Sequence, residues 1–422
     1  MACRTTVQFN NEGDTMSNKE NSSAKSWLCA LIIIFSGFLF GMMIKKIAGT
    51  VALLMPSLGV GPSSVGSLVS AISILCVIMA IPIGSFIAKF GARKFVLAAF
   101  ALGIAGNIMG ALSTSTDMLY VSRIVEGAGF GIFAPAAPSL LASYFPPEKR
   151  GLPMGIWSTY VGAGAFIVLI LTNLIVDFDN PSTWANVWWF IAIGLAAMAV
   201  LFFIFVRPED VKKSGQSPFK VTDGLKSLPT WLLVASFMMY TFGFIALTTF
   251  MPTYLKTVLS IDPATANLYT SILTLAMIVG GFIAGAVIKR TKPQNKPMLY
   301  FVFVVLCAIV TSLSFVYSNN MIVVYAVVGG VIMQFVPAIL FSNAPDTAPH
   351  PALTGVAMGV VSFGQNLGGV TAGTFSGSII ENLGWGAMTG TLVGVGVAGI
   401  VLAVLYVFAM KKREQKKQSE TE

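Results

Sequence analysis

Long apolar runs alternate with short polar segments along this chain. Each run contains about twenty or more residues, mainly Leu, Ile, Val, Phe and Ala, which is the length that an α-helix needs to cross a bilayer. The runs do not show the inward and outward alternation of a transmembrane β-barrel strand. The pattern therefore predicts an all-α integral membrane protein with twelve transmembrane helices, at about residues 27–54, 63–88, 95–114, 118–143, 152–176, 183–206, 231–254, 264–288, 298–317, 321–343, 353–377 and 386–410.

The longest polar connection lies between the sixth and seventh predicted helices and divides the chain. We expect a cytoplasmic tail (1–26), an N-terminal six-helix half (27–206), a central loop (207–228), a C-terminal six-helix half (229–410) and a basic tail (411–422). An internal repeat supports this division, because five residues recur 204 positions later: Gly151, Met154, Gly155, Ser158 and Gly164 match Gly355, Met358, Gly359, Ser362 and Gly368. Two halves related by a repeat are typical of secondary transporters, which hold the substrate at the midplane between them.

Composition and charge agree with this topology. The chain is 55% hydrophobic and 10% charged, with a mean hydropathy of +0.81, and water cannot solvate such a composition as a soluble domain. All but four of the 26 lysines and arginines lie on one predicted face, the exceptions being Lys45, Lys46, Arg123 and Lys256. By the positive-inside rule this face and both termini are cytoplasmic, so we expect a multi-pass protein of the plasma membrane. The net charge of +9 is a topology signal and not a sign of nucleic-acid binding.

Several function classes lack the residues that they need. One histidine, His350, and four scattered cysteines cannot supply a metal site or a disulfide framework. A membrane enzyme needs a convergent set of such residues, and the chain has no P-loop of an ATP-driven pump. Polar residues 1–26 contain no signal-peptide core. We expect no enzyme activity, no metal and no cofactor, and we expect a monomer.

Two adjacent lysines stand out inside the first predicted helix. Lys45 precedes Pro56 by eleven residues, which corresponds to about 16 Å of helix and places the charge near the middle of a hydrocarbon core about 30 Å thick. A lysine at that depth costs a few kcal/mol unless it faces water, a counter-charge or a ligand. We therefore predict an anion-binding role for Lys45 and Lys46. The alternative is that residues 27–44 already span and that both lysines extend to the far headgroups.

Arg123 and Glu126 lie three residues apart in the fourth predicted helix and so share a helix face. One interpretation is a self-contained ion pair that stabilises packing. The other is proton coupling, because Glu126 is the one carboxylate well inside a predicted span and proton transport generally requires a titratable group on the route. Both interpretations remain open at this point.

Further polar and aromatic side chains inside the predicted helices are candidates for lining a substrate cavity. Trp157 and Tyr160 share a helix face, and Gln365 lies close to the position that the repeat makes equivalent to theirs. Each candidate has the alternative role of joining helices by hydrogen bonds. The full set is Trp157, Tyr160, Tyr240, Gln334, Gln365 and Asn366.

The loop after the second predicted helix carries two glycines followed by a basic pair, and it resembles the cytoplasmic signature G-x-x-x-D-R-x-G-R-K of the major facilitator superfamily. The residues at issue are Gly84, Lys89, Gly91, Arg93 and Lys94. The resemblance implies a role for them in gating. Ala88 replaces the signature aspartate, which in that family latches the outward-open state, so the usual latch is in doubt.

Two further stretches carry the resemblance. Arg123, Gly127 and Gly129 are similar to the R-x-x-x-G-x-G pattern of the family's fourth helix, whereas the fifth helix lacks the Gly-Pro pair of its drug antiporters. The stretch from Lys45 to Pro56 resembles the first helix of the cyanate-type porters, in which an arginine precedes the proline by the same interval. The resemblance implies the two-half fold of this superfamily.

The sequence thus predicts a secondary transporter that moves a small organic or inorganic anion, such as a carboxylate, by alternating access. Lys45 is the expected main anion contact, and Lys46 points about 100° away on the helix. Proton symport through Glu126 is the favoured coupling. An anion exchanger or facilitator without proton coupling, and a nutrient sensor without transport, are the alternatives.

Overall fold

The computed structural model describes residues 12–79, 83, 86, 87, 90–145, 151–206, 226–316, 319–349 and 353–419, and this part of the chain is helical without a β-strand. The α-helices in chain order are α1 (Glu12–Leu58), α2 (Pro62–Met79), α3 (Ala92–Ala111), α4 (Thr116–Ser143), α5 (Gly151–Ser158), α6 (Tyr160–Ile175), α7 (Ala185–Phe205), α8 (Leu228–Thr257), α9 (Pro263–Arg290), α10 (Lys296–Ser312), α11 (Ile322–Thr347) and α12 (Thr354–Ser419). Among the described residues, ten helices are long and apolar enough to cross a membrane. The prediction of an all-α membrane protein is confirmed.

The ten long helices of the structure and the twelve predicted spans differ at two places. The predicted fifth span is divided at Thr159 into the short helix α5 and the 16-residue helix α6. The predicted eleventh and twelfth spans both lie in α12, which contains a non-helical residue, Gly384, at φ 81° and ψ 178°. Glycine adopts such angles at little cost, so the chain changes direction there without a polar loop.

Local sequence signals explain where α4 and α9 begin. The Ser115 hydroxyl accepts a hydrogen bond of 3.2 Å from the Met118 amide at the start of α4. Asp262 accepts one of 2.9 Å from the Thr265 amide, and Pro263 follows it as the first residue of α9. These are the residue types that satisfy or remove the free N–H groups of a helix start. Hydrogen bonds from Thr265 hold the pKa of Asp262 below its ordinary value.

Glycines bring helix backbones into direct contact within each half. A Cβ atom on Gly41 of α1 would lie 2.4 Å from the Tyr160 carbonyl oxygen, and one on Gly164 of α6 would lie 2.5 Å from the Met42 nitrogen. In the C-terminal half, a Cβ on Gly364 of α12 would lie 2.4 Å from a carbonyl oxygen of α8. Such separations exclude any larger residue, as in small-residue helix contacts in membranes.

We use N-terminal half for helices α1–α7 and C-terminal half for helices α8–α12. Helices of the two groups contact each other in three pairs, which are α2 with α12, α6 with α9, and α1 with α8. Residues 59–61 and 258–262 connect helices at one end of the bundle, which we call the turn end, and the chain leaves α12 at the opposite end, the tail end. Hydrogen bonds cross between the halves toward the turn end. Asn173 donates to the Ala264 carbonyl at 2.8 Å, and Ser63 donates its backbone N–H to Glu381 at 2.7 Å.

Candidate functional site

Lys46 lies inside the N-terminal half in a buried charge cluster with Arg123, Glu126 and Asn107. Its ammonium nitrogen is 2.7 Å from Glu126 Oε1 and 2.6 Å from Asn107 Oδ1. The other carboxylate oxygen of Glu126 accepts a hydrogen bond from Arg123. The side chains of Lys46, Arg123 and Glu126 have an exposed fraction of 0%. One carboxylate is therefore held between two cations, away from water.

Arg123 connects this cluster to the backbones of neighbouring helices. Its guanidinium donates to the Met43 carbonyl at 2.8 Å and the Ile44 carbonyl at 3.3 Å, both on α1, and to the Leu68 carbonyl of α2 at 3.2 Å. These partners, together with Glu126, use the planar fork of donors that arginine provides. The charge cluster therefore holds α1 and α2 against α4.

Two glycines of α3 make room for the cluster. A Cβ on Gly106 would lie 2.7 Å from Glu126 Cγ, and one on Gly110 would lie 2.4 Å from the Trp188 ring. The Lys46 nitrogen lies 4.1 Å from the Trp188 ring centroid, a distance at which a cation is attracted to the face of the ring. The Asn107 amide donates to the Gly103 carbonyl at 2.7 Å, which orients its oxygen toward Lys46.

Lys45 points in a different direction, toward the boundary between the two halves. Its nitrogen lies 3.4 Å from Thr248 Oγ1 and 4.2 Å from the Phe244 ring centroid, both on α8. A cavity beside Lys45 is lined in part by Ser73 of α2 and Thr249 of α8. We call Lys45, Ser73, Phe244, Thr248 and Thr249 the interface site.

The cavity of the interface site is small in this conformation. About 20 Å³ is available to water-sized molecules, which is room for about one water molecule. The cavity in this conformation therefore has no room for an anion much larger than a water molecule.

The electrostatic difference between the two lysines is the main feature of the region. Lys46 has Glu126 as a partner, whereas Lys45 makes no ion pair among the residues that the structure describes. The charge cluster retains one excess positive charge, because Lys46 and Arg123 face a single carboxylate. An uncompensated cation in a region of low dielectric attracts anions.

The other predicted site residues are dispersed. Trp157 and Tyr160 stack on each other, with ring centroids 4.6 Å apart. Trp157 is 6% exposed and packs on Phe133 inside the N-terminal half. Tyr240 lines a separate cavity within the C-terminal half, together with Ser236. The Tyr240 ring also stacks on the ring of Phe244 in the interface site, with centroids 6.0 Å apart. Tyr240 therefore lies next to the interface site.

The three amide candidates also lie at different places in the structure. Gln334 lies near Gly281 of α9, and Asn366 donates to the Ser362 carbonyl of its own helix at 3.0 Å. Gln365 is exposed, and it lies one helical turn before Gly369, where a Cβ would be 2.7 Å from Ser73 Oγ. Gln365 is therefore the amide on the helix face that continues the interface site toward the tail end.

The sequence interpretation missed Asn107 and the hydroxyls of Ser73, Thr248 and Thr249. The sequence offered a signal for Asn107, because an amide side chain inside an apolar run is costly to bury without a hydrogen-bond partner. The sequence offered no such signal for the hydroxyls, because serine and threonine side chains often donate to carbonyls of their own helix. Thr248 also does so, with the Phe244 carbonyl at 2.8 Å.

The predicted gating loop is described only in part. Gly84, Ala88 and Lys89 lie outside the described residues, and Lys94 is exposed. Arg93 donates to the Val206 carbonyl at 2.6 Å and the Phe203 carbonyl at 3.0 Å, at the end of α7. Gly91 takes a φ of 87° immediately before α3. A basic side chain at carbonyls that lack intrahelical partners stabilises a helix end.

An equivalent contact occurs in the C-terminal half. Arg413 of α12 donates to the Asp346 carbonyl at 3.0 Å and the Thr347 carbonyl at 2.8 Å, at the end of α11. Arg93 and Arg413 therefore each stabilise the end of another helix at the tail end, one in each half.

Two relatives of this chain are named as proteins that move small anions. The nitrite extrusion protein of Bacillus subtilis (strain 168) is 26% identical over 351 residues, which cover 80% of this chain and 84% of that protein. A candidate inorganic phosphate cotransporter of Drosophila melanogaster is 28% identical over 236 residues, covering 48% of this chain and 42% of that protein. The chain thus spans less than half the length of this second relative.

A solved structure shares the fold. The D-xylose-proton symporter superposes with a TM-score of 0.74 at 17% identity, over 90% of this chain and 97% of that one. The family model described as Major Facilitator Superfamily matches residues 30–354 and 295–422. The resemblance found in the sequence is thereby confirmed, and the chain belongs to the major facilitator superfamily as a multi-pass membrane transporter and not an enzyme.

Proposed function

We propose that this protein carries a small anion across the membrane by alternating access, with the interface site as its binding site. The observation that carries the proposal is Lys45, a cation at the boundary of the halves whose polar neighbours are hydroxyls and whose ammonium has no carboxylate partner among the described residues. An anion supplies the missing counter-charge. A nitrite and a phosphate transporter among the relatives support the same substrate class.

The hydroxyls complement the lysine chemically. Thr248 lies within hydrogen-bond distance of Lys45, and Ser73 and Thr249 line the same cavity. Hydroxyl groups donate to the oxygens of nitrite, phosphate or a carboxylate, and a charged partner strengthens such hydrogen bonds. In the structure the Lys45 nitrogen lies against the Phe244 ring and Thr248. An arriving anion replaces these weaker contacts.

The experiment is uptake into proteoliposomes of labelled nitrite, phosphate and short carboxylates, with labelled xylose as a neutral control. We expect saturable uptake of at least one anion and none of xylose. Exclusion of every anion, or transport of xylose at a comparable rate, would contradict the proposal. If neither the anions nor xylose were transported, the sensor alternative would replace it.

We further propose twelve spans with both termini in the cytoplasm of a plasma-membrane protein. In this arrangement α5 and α6 together form the fifth span, and Gly384 separates the eleventh from the twelfth. The distribution of lysine and arginine supports the orientation. Single cysteines in place of Ser214 and Ser260, in a chain without the native four, should react with impermeant thiol reagents from opposite sides. Reaction of both from one side would disprove the topology.

Proton symport through Glu126 is the coupling that we propose. Glu126 accepts hydrogen bonds from both Lys46 and Arg123, and Arg123 also holds the α1 backbone one and two residues before Lys45. A proton on Glu126 weakens its hold on both cations. Because Lys45 and Lys46 are on the same helix, the protonation state of the cluster is linked to the position of the anion site.

The coupling test uses a charge-conserving double variant. In Lys46→Met/Glu126→Gln the cluster keeps one positive charge, so the protein should fold and exchange labelled for unlabelled anion. It should no longer accumulate the anion when an inward proton gradient is imposed. Accumulation equal to that of the unmodified protein would show that the cluster is structural, and an exchanger or facilitator would then be the better description.

A further inference from the structure

Glu381 joins the two halves at the turn end. Its Oε2 atom accepts a hydrogen bond of 2.7 Å from the backbone N–H of Ser63, which lies 318 positions earlier in the chain. Ser63 is the second residue of α2, and the N–H groups of a helix's first turn have no partner within the helix. A carboxylate placed there is also favoured by the helix dipole. Glu381 of α12 therefore completes the N-terminus of a helix in the other half.

The chain leaves room for this carboxylate. A Cβ atom on Gly61 would lie 2.6 Å from Glu381 Oε2 and 2.7 Å from its carboxyl carbon. Any residue larger than glycine at position 61 displaces the carboxylate from the helix start. Gly61 and Glu381 are thus matched across the boundary between the halves.

A seam of small residues brings α2 and α12 close enough for the contact. A Cβ on Gly66 would lie 2.0 Å from the Gly373 carbonyl oxygen, and one on Gly377 would lie 2.2 Å from the Pro62 carbonyl oxygen. Ser70 donates to the Val370 carbonyl at 2.6 Å along the same seam. Glu381 lies one turn beyond Gly377, where the seam reaches the turn end.

The turn end is also closed where α6 meets α9. Asn267 of α9 donates to the Gly49 carbonyl of α1 at 3.0 Å and to Asn173 of α6 at 3.1 Å. These neutral contacts are buried or partly buried, whereas Glu381 is exposed. Glu381 is therefore the charged contact on the outer side of the closure, where separation of the halves breaks it.

We infer that Glu381 is a latch that keeps the turn end closed and that releases the Ser63 amide when this end opens. The inference rests on the alternating-access part of the proposed function and is independent of the substrate. Loss of the carboxylate removes a contact made in the closed form alone, so it shifts the equilibrium toward the open form.

The test is a distance measurement between spin labels in the full chain without substrate. Labels at Asp179→Cys and Lys256→Cys, in a chain without the native cysteines, report the separation of the halves at the turn end by pulsed electron paramagnetic resonance. Glu381→Ala should raise the ratio of long to short distances about three- to tenfold. Glu381→Gln keeps an acceptor but loses the charge and should give a smaller rise.

Two further variants make the test specific. Gly61→Ala keeps the Glu381 side chain but displaces its carboxylate from the start of α2, so it should reproduce the Glu381→Ala shift. Asn382→Ala is the matched control, because the Asn382 amide donates to Ser378 of its own helix, and it should leave the distances unchanged. Measurements on the monodisperse fraction exclude misfolded protein. If Glu381→Ala and Gly61→Ala both match the unmodified protein, the glycine seam alone closes this end and the latch is disproved.

Discussion

Lys45 and Lys46 are neighbours in sequence, yet the structure places them in regions of different kinds. Lys46 is enclosed in the N-terminal half, 2.7 Å from a carboxylate oxygen of Glu126. Lys45 faces the boundary between the halves and lies 3.4 Å from the Thr248 hydroxyl. Successive residues of a helix point about 100° apart, and here that rotation separates a cation with a carboxylate partner from one that has no carboxylate partner among the described residues.

The two charges therefore have different effects on stability. A buried cation with a carboxylate partner belongs to a network in which each member depends on the others. A cation near the membrane midplane without such a partner costs stability in the empty protein. The first kind of charge holds helices together. Under the proposed function, the second kind is retained to bind an anion, at a cost to stability.

The largest expected effect comes from Glu126→Gln. This change leaves Lys46 and Arg123 facing each other without a carboxylate, and breaking a buried pair in this way costs about 3–5 kcal/mol. Thermal unfolding of the purified protein in detergent should show the loss. Lys46→Met/Glu126→Gln should recover part of it, because Lys46→Met removes one of the two unpaired cations. An unchanged unfolding temperature for Glu126→Gln would contradict the assigned network.

Substitution by methionine should have opposite effects at the two lysines. Lys46→Met leaves the Asn107 oxygen without its donor and should destabilise the protein by about 1–3 kcal/mol. Lys45→Met removes a cation without a carboxylate partner and should stabilise the empty protein by about 1–2 kcal/mol. The same unfolding assay measures both variants. Shifts in the same direction would mean that the two regions do not differ as described.

A smaller effect is expected at the hydroxyl beside Lys45. Thr248→Val keeps the shape but removes one hydrogen-bonding group, which is worth about 0.5–1.5 kcal/mol, so the half-saturation concentration for anion uptake should rise about two- to twelvefold. Thr257→Val is the control on the same helix, because its hydroxyl bonds to the Thr253 carbonyl. Equal affinities in the two variants would remove Thr248 from the site.

The sequence predicted the helical membrane fold, because the length of the apolar runs determines it. Helical periodicity also predicted that Lys45 and Lys46 point in different directions. The pairing of Arg123 with Glu126 also follows from their spacing, and the structure confirms it. The contact of Lys46 with Asn107 and Glu126 did not follow. It joins residues 61 and 80 positions apart, and their meeting depends on how three helices pack.

The same limit applies to the cavity candidates. Trp157 and Tyr160 have the helical spacing of a cavity wall, but whether such a face meets substrate or a neighbouring helix depends on packing. Gly37 decides the placement of Trp157, because a Cβ there would lie 2.8 Å from the indole ring. The missing side chain of Gly37 lets the ring pack against α1.

The most direct test of the account is the affinity of Lys45 variants for the transported anion. In proteoliposome uptake, Lys45→Ala should raise the half-saturation concentration about ten- to a hundredfold, because a charge-assisted contact is worth about 1.5–3 kcal/mol. Lys45→Arg should retain partial function, since the charge remains on a differently shaped group. Lys46→Ala, at equal amounts of folded protein, should change the affinity less. Unaltered affinity in Lys45→Ala, with the affinity lost in Lys46→Ala, would contradict the central claim.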